Sequence, residues 1–269
     1  MTKSILITGS TDGIGLAAAE RLAAKNHTVL LHGRREAKLA EAEQRVRSAG
    51  GTGSVERYQA DLSSISEVEA LAANVAERHD RLDVLINNAG VFRLSNAVGP
   101  NGLDLRFMVN TIAPYLLTRR LLPLLDDHSR VVNLSSAAQA PVQPDALAGL
   151  VALDDGNAYA QSKLALTMWS NHLAGEFAGN GPVVIAVNPG SFLGTKMVKE
   201  AYGMAGNDVG IGADILVRAA TAPEFADASG QYFDNDSGRF ADPHPDALNP
   251  QKNQALTDRV DAVIASIAG

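Results

Sequence analysis

A tyrosine and a lysine four residues apart, Tyr159 and Lys163 in Tyr159-Ala160-Gln161-Ser162-Lys163, head an alanine- and leucine-rich stretch whose pattern predicts a helix over 158–177. That spacing puts both side chains on one helix face, one turn apart. A phenol titrates near ~10, so it is a poor acid–base group at neutral pH unless a nearby cation stabilises its ionised form. Lys163 is placed to supply that charge. The same pair is also an ordinary surface arrangement, with a lysine stem lying along a ring. Its company is what singles it out. Ser135 and Ser136 close the apolar run 130–134, Asn87-Asn88-Ala89-Gly90 closes another, and Asn110 interrupts the apolar helix 107–112, where a buried amide needs partners.

A second group of residues could hold a ligand. Thr8-Gly9-Ser10-Thr11-Asp12-Gly13-Ile14-Gly15 joins a short apolar strand to a helix expected over 16–25. Glycines there permit positive φ and let a pyrophosphate approach backbone N–H groups at a helix N-terminus. Three residues separate the first two glycines, which departs from G-x-G-x-x-G, so a plain strand-to-helix turn is the other reading. Asp12 offers nothing to a phosphate. The second strand runs into Leu31-His32-Gly33-Arg34-Arg35. An acid at that place accepts from the ribose 2′-OH of NAD, whereas arginine accommodates the 2′-phosphate of NADP. Arg34 and Arg35 therefore favour NADP(H), with NAD(H) possible, or else they are solvated charges at a helix start beside Glu36. After the third strand, Asp61 either accepts from an adenine amino group or, like Ser63 and Ser64, caps the next helix.

Position comes from the elements between. Short β-branched or leucine-rich runs at 4–8, 28–32, 54–59, 82–87, 130–134, 183–187 and around 230–233 alternate with segments carrying apolar residues at helical spacing, such as Ile14, Ala18 and Leu22. This predicts an α/β fold: a single Rossmann domain over 1–269, with a doubly wound seven-stranded parallel sheet and helices on both faces. The polar strand ends then share the carboxyl edge, where open α/β sheets bind ligands. The Pro- and Asp-rich stretch 241–251 reads as a surface loop and 253–267 as a docking helix.

Composition narrows the chemistry. The 269 residues carry 23 Lys plus Arg against 30 Asp plus Glu, and the formal charge of -7 opposes non-specific attraction to nucleic acid or an anionic membrane. With no cysteine, disulfides, thiolate metal sites and cysteine nucleophiles are excluded, so redox chemistry requires a cofactor. The six histidines lack metal-ligand spacing, and no metal is expected. The first apolar run stops at Gly9, too short for a signal peptide, and no stretch approaches the ~20 residues that span a bilayer. The sequons at Asn133 and Asn235 have no secretory context, which places the protein in the cytoplasm with no membrane partner.

Order and spacing together resemble the short-chain dehydrogenase/reductase family over essentially the whole chain. Its T-G-x-x-x-G-x-G corresponds to Thr8 through Gly15, its N-N-A-G to Asn87 through Gly90, its Y-x-x-x-K to Tyr159 through Lys163, and its P-G to Pro189-Gly190, followed by Thr195. The stretch before Tyr159 and the ending Gly230-Gln231-Tyr232-Phe233 look most like the retinol-dehydrogenase and WW-domain-oxidoreductase branch. The resemblance implies that Tyr159 is the general acid toward a carbonyl oxygen, or the base toward an alcohol. It implies that Ser136, rather than Ser135, holds the substrate oxygen, and that Lys163 holds the nicotinamide ribose and lowers the tyrosine pKa. Asn110 would retain a water linking the lysine to solvent. The implied cofactor site comprises Gly9, Ser10, Thr11, Asp12, Gly13, Ile14, Gly15, Arg34, Arg35, Asp61, Leu62, Asn88, Ala89, Gly90, Tyr159, Lys163, Pro189, Gly190 and Thr195.

Two segments bear on the substrate. The connection 137–157, with Pro141, Pro144 and an apolar run 146–153, is either a lid for a hydrophobic substrate or an inert hairpin or short helix. The stretch 191–212, with five glycines, lies where the family keeps its substrate flap; Phe192, Leu193, Met197 and Met204 line a pocket there or belong to the core. The leading expectation is an NADP-dependent carbonyl reductase or alcohol dehydrogenase acting on a small carbonyl or alcohol substrate. An NAD-dependent alcohol dehydrogenase and a non-catalytic dinucleotide sensor are the alternatives. The Tyr159 helix often builds dimer contacts in this family, so a homodimer or homotetramer stays open, with Trp169 either in the core or at a subunit contact.

Overall fold

The computed structural model describes residues 2–268; Met1 and Gly269, the ends of the expected 1–269 domain, lie outside the described residues. The first half runs β1 (Ser4–Ile7), α1 (Gly13–Ala24), β2 (Thr28–Gly33), α2 (Glu36–Ser48), β3 (Val55–Gln59), α3 (Ile65–Arg78) and β4 (Val84–Asn87). Then α4 (Leu105–Phe107), a π-turn (Met108–Ile112) and α5 (Ala113–Leu121) lead to β5 (Arg130–Leu134). The rest comprises α6 (Pro144–Leu147), α7 (Asp155–Phe177), β6 (Val183–Asn188), α8 (Lys196–Tyr202), α9 (Val209–Thr221), β7 (Tyr232–Asp234), β8 (Arg239–Ala241) and α10 (Pro250–Ala268).

The sheet has the order β3-β2-β1-β4-β5-β6-β7-β8. The chain winds outward from β1 to β3 and then returns to the other side of β1 at β4, so the direction of winding reverses between those two strands. β1 through β7 pair in parallel. The central strands are apolar at consecutive positions because both faces are covered. Along β1, Ile5 and Ile7 join the cluster under α1, α2 and α9, while Leu6 joins the one under α3, α5, α7 and α10.

The sheet has eight strands, not the expected seven, and the eighth is antiparallel. β8 returns beside β7 after a turn containing Gly238 at φ 68°, and Phe240 sits opposite Phe233 with rings edge-on at 5.1 Å. Three residues after an Asn- and Asp-rich turn are too few for alternation to show in the sequence.

The expected short-helix reading of 137–157 is the one found for part of that segment: Ala146 and Leu147 of α6 are buried in the core, while Leu150 and Val151 are exposed. Trp169 is fully buried and meets Tyr115 edge-on at 5.7 Å, so it is a core residue. Asn133 is also fully buried, which removes its sequon from consideration. Among the described residues no helix is long and apolar enough to cross a membrane, and no cluster of His, Asp and Glu could hold a metal ion.

One buried charge fixes where α7 begins. Arg106 is 1% exposed, bonds Asp104 through Nε (2.8 Å) and Nη2 (2.5 Å), and reaches Asp155, the first residue of α7, through Nη1. Removing the guanidinium leaves two carboxylates without their shared donor. We expect Arg106→Ala to lower unfolding free energy by about 2 kcal/mol in urea titration, the range of a buried charge-assisted hydrogen bond. No change in the midpoint would contradict that role.

Candidate active site

At the carboxyl end of β1 the chain turns tightly. Gly9 has φ 64°, and a Cβ there would stand 2.8 Å from Ala89 Cα; one on Gly15 would stand 2.4 Å from Asn88 Nδ2. Backbone and amide therefore approach too closely for any side chain. Asn88 Nδ2 donates to Thr8 O (2.8 Å) and Gly9 O (3.0 Å), and Thr8 Oγ1 accepts from the N–H groups of Asn88 and Ala89. α1 starts at Gly13, earlier than expected, because Asp12 is its N-cap: its Oδ1 accepts from Gly13 N at 2.7 Å. That cap accounts for an acid inside the turn.

Beneath the turn lies His32. Its Nδ1 accepts from Gly9 N (3.1 Å), so the ring proton sits on Nε2, which donates to Ala60 O (3.1 Å). Burial pushes its pKa down to about 4 and keeps the ring neutral. Ser10 is fully buried and its hydroxyl accepts from His32 N (2.9 Å), so its side chain faces away from the cleft.

Arg34, Arg35 and Lys38 are exposed around the start of α2 and line one end of a cleft of about 390 Å³. Glu36 pairs with Arg57 at 2.5 Å, and no ion pair to Arg34 or Arg35 occurs among the described residues. Asp61 and Leu62 line the adjoining wall. The cap of α3 is Ser64, whose Oγ accepts from Glu67 N, while Asp61 Oδ1 accepts from Ser63 N (2.9 Å).

At the other end of the same cleft stand Tyr159 and Lys163. Asp154 caps α7 by accepting from Asn157 N (2.9 Å), which moves the helix start ahead of the expected 158 and sets Tyr159 early in the helix. Lys163 is 4% exposed; its Nζ donates to Leu134 O (2.7 Å) and lies 5.7 Å from the Tyr159 ring centroid. Burial pushes the ammonium down to about 8. The Tyr159 phenol, by contrast, is raised: burial dominates, and a hydrogen bond with Ser136 opposes it. Ser135 Oγ is buried against Thr167 Oγ1 (2.7 Å), while Ser136 Oγ accepts from Ala138 N (3.1 Å).

Asn110 sits in the π-turn, fully buried behind the cleft wall. Its Oδ1 accepts from Val91 N (2.8 Å), and its Nδ2 donates to Val91 O (3.0 Å) and Ser162 Oγ (3.0 Å). Both amide hydrogens are engaged within the chain. Ser162 Oγ in turn donates to Tyr159 O (2.7 Å), and this relay ties the loop after β4 to the first turn of α7. After β6, Gly190 takes φ 117°, and Thr195 caps α8 by accepting from Val198 N while lying close to Gly13.

Of the expected residues, Gly9, Thr11, Asp12, Gly13 and Ile14 line the cleft at the turn, with Asn88, Ala89 and Gly90 opposite and Pro189 and Thr195 closing it. Ser10, Gly15, Asn110, Ser136 and Gly190 do not line it; they shape it from behind or stand at its margin. Of the four residues at 192–204 that could line a pocket, Met197 lies on the cleft wall; sequence reasoning missed His32, Lys38, Val91 and Lys196, which lie on it too. A histidine two residues before Arg34, at the end of β2, was a signal available for the first.

A parallel sheet with a glycine turn at its switch point, and a tyrosine–lysine pair in the same crevice, define an α/β dinucleotide-binding oxidoreductase. The family model for short chain dehydrogenase matches residues 3–205. The chain belongs to the short-chain dehydrogenase/reductase family and is an NAD(P)-dependent oxidoreductase. It is 32% identical to human retinol dehydrogenase 13 over 86% of this chain and 76% of that protein. It is 31% identical to human polyprenol dehydrogenase, again over 86% of this chain and 76% of that one. A solved structure of Pseudomonas aeruginosa RhlG with NADP has a TM-score of 0.70 and 25% identity, over 88% of this chain and 95% of that chain.

His32 makes stability depend on acid. Its folded pKa lies below the ordinary 6.5, so the unfolded chain takes up a proton first, and stability falls as pH drops from about 6.5 to about 4. We expect a loss of about 3 kcal/mol over that window relative to His32→Gln, from urea midpoints at stepped pH. Parallel curves for the two proteins would contradict the buried neutral ring.

Proposed function

We propose that this enzyme is an NADP(H)-preferring oxidoreductase that interconverts a carbonyl and an alcohol on a small, hydrophobic substrate, with Tyr159 as acid and base. The observation that carries it is one cleft lined by Arg34, Arg35 and Lys38 at one end and by Tyr159 and Lys163 at the other. In a chain with a formal charge of -7, a cationic cluster whose two arginines have no carboxylate partner among the described residues suits a phosphate. Two relatives, dehydrogenases of retinol and of polyprenol, support an apolar alcohol or its carbonyl, and the RhlG complex supports NADP.

When bound, the nicotinamide supplies or accepts the hydride; the chain supplies position and protons. Arg34 and Arg35 hold the 2′-phosphate, and the backbone of residues 9–15 at the head of α1 faces the pyrophosphate. Ser136 orients the substrate oxygen. Tyr159 gives its hydroxyl proton to that oxygen during reduction and takes it back during oxidation. With its pKa at about 8, Lys163 remains mostly protonated at pH 7, and its charge near the ring stabilises the phenolate left after the proton departs. Asn110 holds Val91, and through Ser162 the main chain of Tyr159, in register with the cleft wall. The segments 137–157 and 191–212 border the substrate, and Asp61 and Leu62 face the adenine.

Calorimetric titration with NADPH and NADH in parallel tests the cofactor reading. NADPH should bind at least about tenfold more tightly, and Arg34→Ala with Arg35→Ala should erase most of that margin while leaving NADH affinity within about threefold. Equal weakening of both would overturn the clamp. For the chemistry, Tyr159→Phe should cut kcat by at least about 100-fold with little change in cofactor affinity. Near-normal turnover would remove Tyr159 from its role.

A further inference from the structure

From Tyr159, on the cleft wall, a row of aromatic rings runs outward. Phe92 packs on Tyr159 with centroids 4.8 Å apart, Tyr202 lies 6.0 Å from Phe92, and Phe192 meets Tyr202 edge-on at 5.4 Å. Phe92 is buried, whereas Tyr202 and Phe192 keep 54% and 50% of their surface open. Two large rings left open side by side next to a cleft are apolar surface that folding has not used.

Their backbone keeps them there. Phe192 has φ 53°, in the left-handed region that disfavours a side chain. Such a conformation persists only where its surroundings enforce it, and it is a pointer to function. The enforcement is visible: Asn207 N donates to Phe192 O (2.7 Å), Gly194 N donates to Asn207 O (2.7 Å), and Asn207 Nδ2 donates to Ser191 O (3.1 Å). Gly206 makes this neck possible, since a Cβ there would stand 2.7 Å from Phe192 O. The turn sends Leu193 into the core, 3% exposed, and leaves Phe192 on the outside against Tyr202. Tyr202 ends α8, held by Gly203 as a left-handed cap.

Aromatic faces and edges gain from contact with another π surface beyond the gain from burying area, at centroid spacings like those of this row. An aliphatic chain gains only the burial. We propose that Phe92, Tyr202 and Phe192 form a stacking platform that selects a carbonyl or alcohol carried on a planar, conjugated ring system and delivers its oxygen to Tyr159. This rests on the reading of Tyr159 as acid and base.

The test compares two methyl ketones with the same reacting group, 2-acetylnaphthalene and cyclohexyl methyl ketone. Each is assayed for NADPH-dependent reduction and for calorimetric binding to the protein and to Phe192→Leu with Tyr202→Leu. Leucine keeps apolar bulk and removes the rings; NADPH affinity and melting temperature check that the variant is folded. The protein should favour the naphthyl ketone in kcat/KM and in Kd, and the variant should lose at least about tenfold of that preference, chiefly through KM. A preserved preference, or an equal loss on both ketones, would overturn the platform. If neither ketone is reduced yet the naphthyl ketone still binds more tightly to the protein than to the variant, the acid–base reading fails and the platform stands.

Discussion

Everything in the crevice depends on how closely the glycine turn after β1 approaches the loop after β4. These two strands are neighbours in the sheet, and the chain leaves them toward opposite sides. The space at their ends is narrowed by contacts that tolerate no added atom at Gly9 or Gly15, and the Asn88 amide and Thr8 hydroxyl lock it. From that lock, contacts run in both directions. One path passes through His32 to Ala60 beside Asp61; the other passes along the loop to Val91, Asn110, Ser162 and the main chain of Tyr159. The two ends of the cleft are thus spaced by rigid, hydrogen-bonded backbone, the condition under which a long ligand can be held for reaction at one end.

The buried cations divide by task. Arg106 is buried with carboxylates on both sides, and its work is to hold helix ends together. Lys163 is just as buried but leans only on a backbone carbonyl, and burial lowers its pKa toward neutrality. The same burial raises the Tyr159 phenol beside it, because both groups lose solvent for their charged forms. Arg130 is a third variant: buried, capping the carbonyls of Ala219 and Ala222 near the end of α9, and remote from the cleft wall.

Much of this was legible in the sequence because the parallel sheet leaves a strong signature. Strand β5 matches the run 130–134 outright, and the other six parallel strands lie within a residue or two of their expected places, since apolar runs between polar turns report burial on both faces. Helix starts were less legible: α1 and α7 begin earlier than the apolar pattern suggests, because Asp12 and Asp154 act as caps and caps lie outside the periodic stretch. β8 was missed for want of length. Within the site, residues that touch the cleft through motif positions were found, but Lys38 and Lys196 reach it by helix geometry that no local pattern encodes. The side-chain commitments of Asn110, and of Lys163 toward Leu134, depend on contacts between distant segments. Spacing alone could not reveal them.

The account stands on a single extended cofactor pose linking Arg34 and Arg35 to Tyr159. A crystal structure of the protein with NADP tests it most directly. The account predicts the 2′-phosphate between Arg34 and Arg35, the pyrophosphate over the turn at residues 9–15, and the nicotinamide ribose against Lys163. A 2′-phosphate turned to solvent away from both arginines, or a nicotinamide placed away from Tyr159, would contradict it.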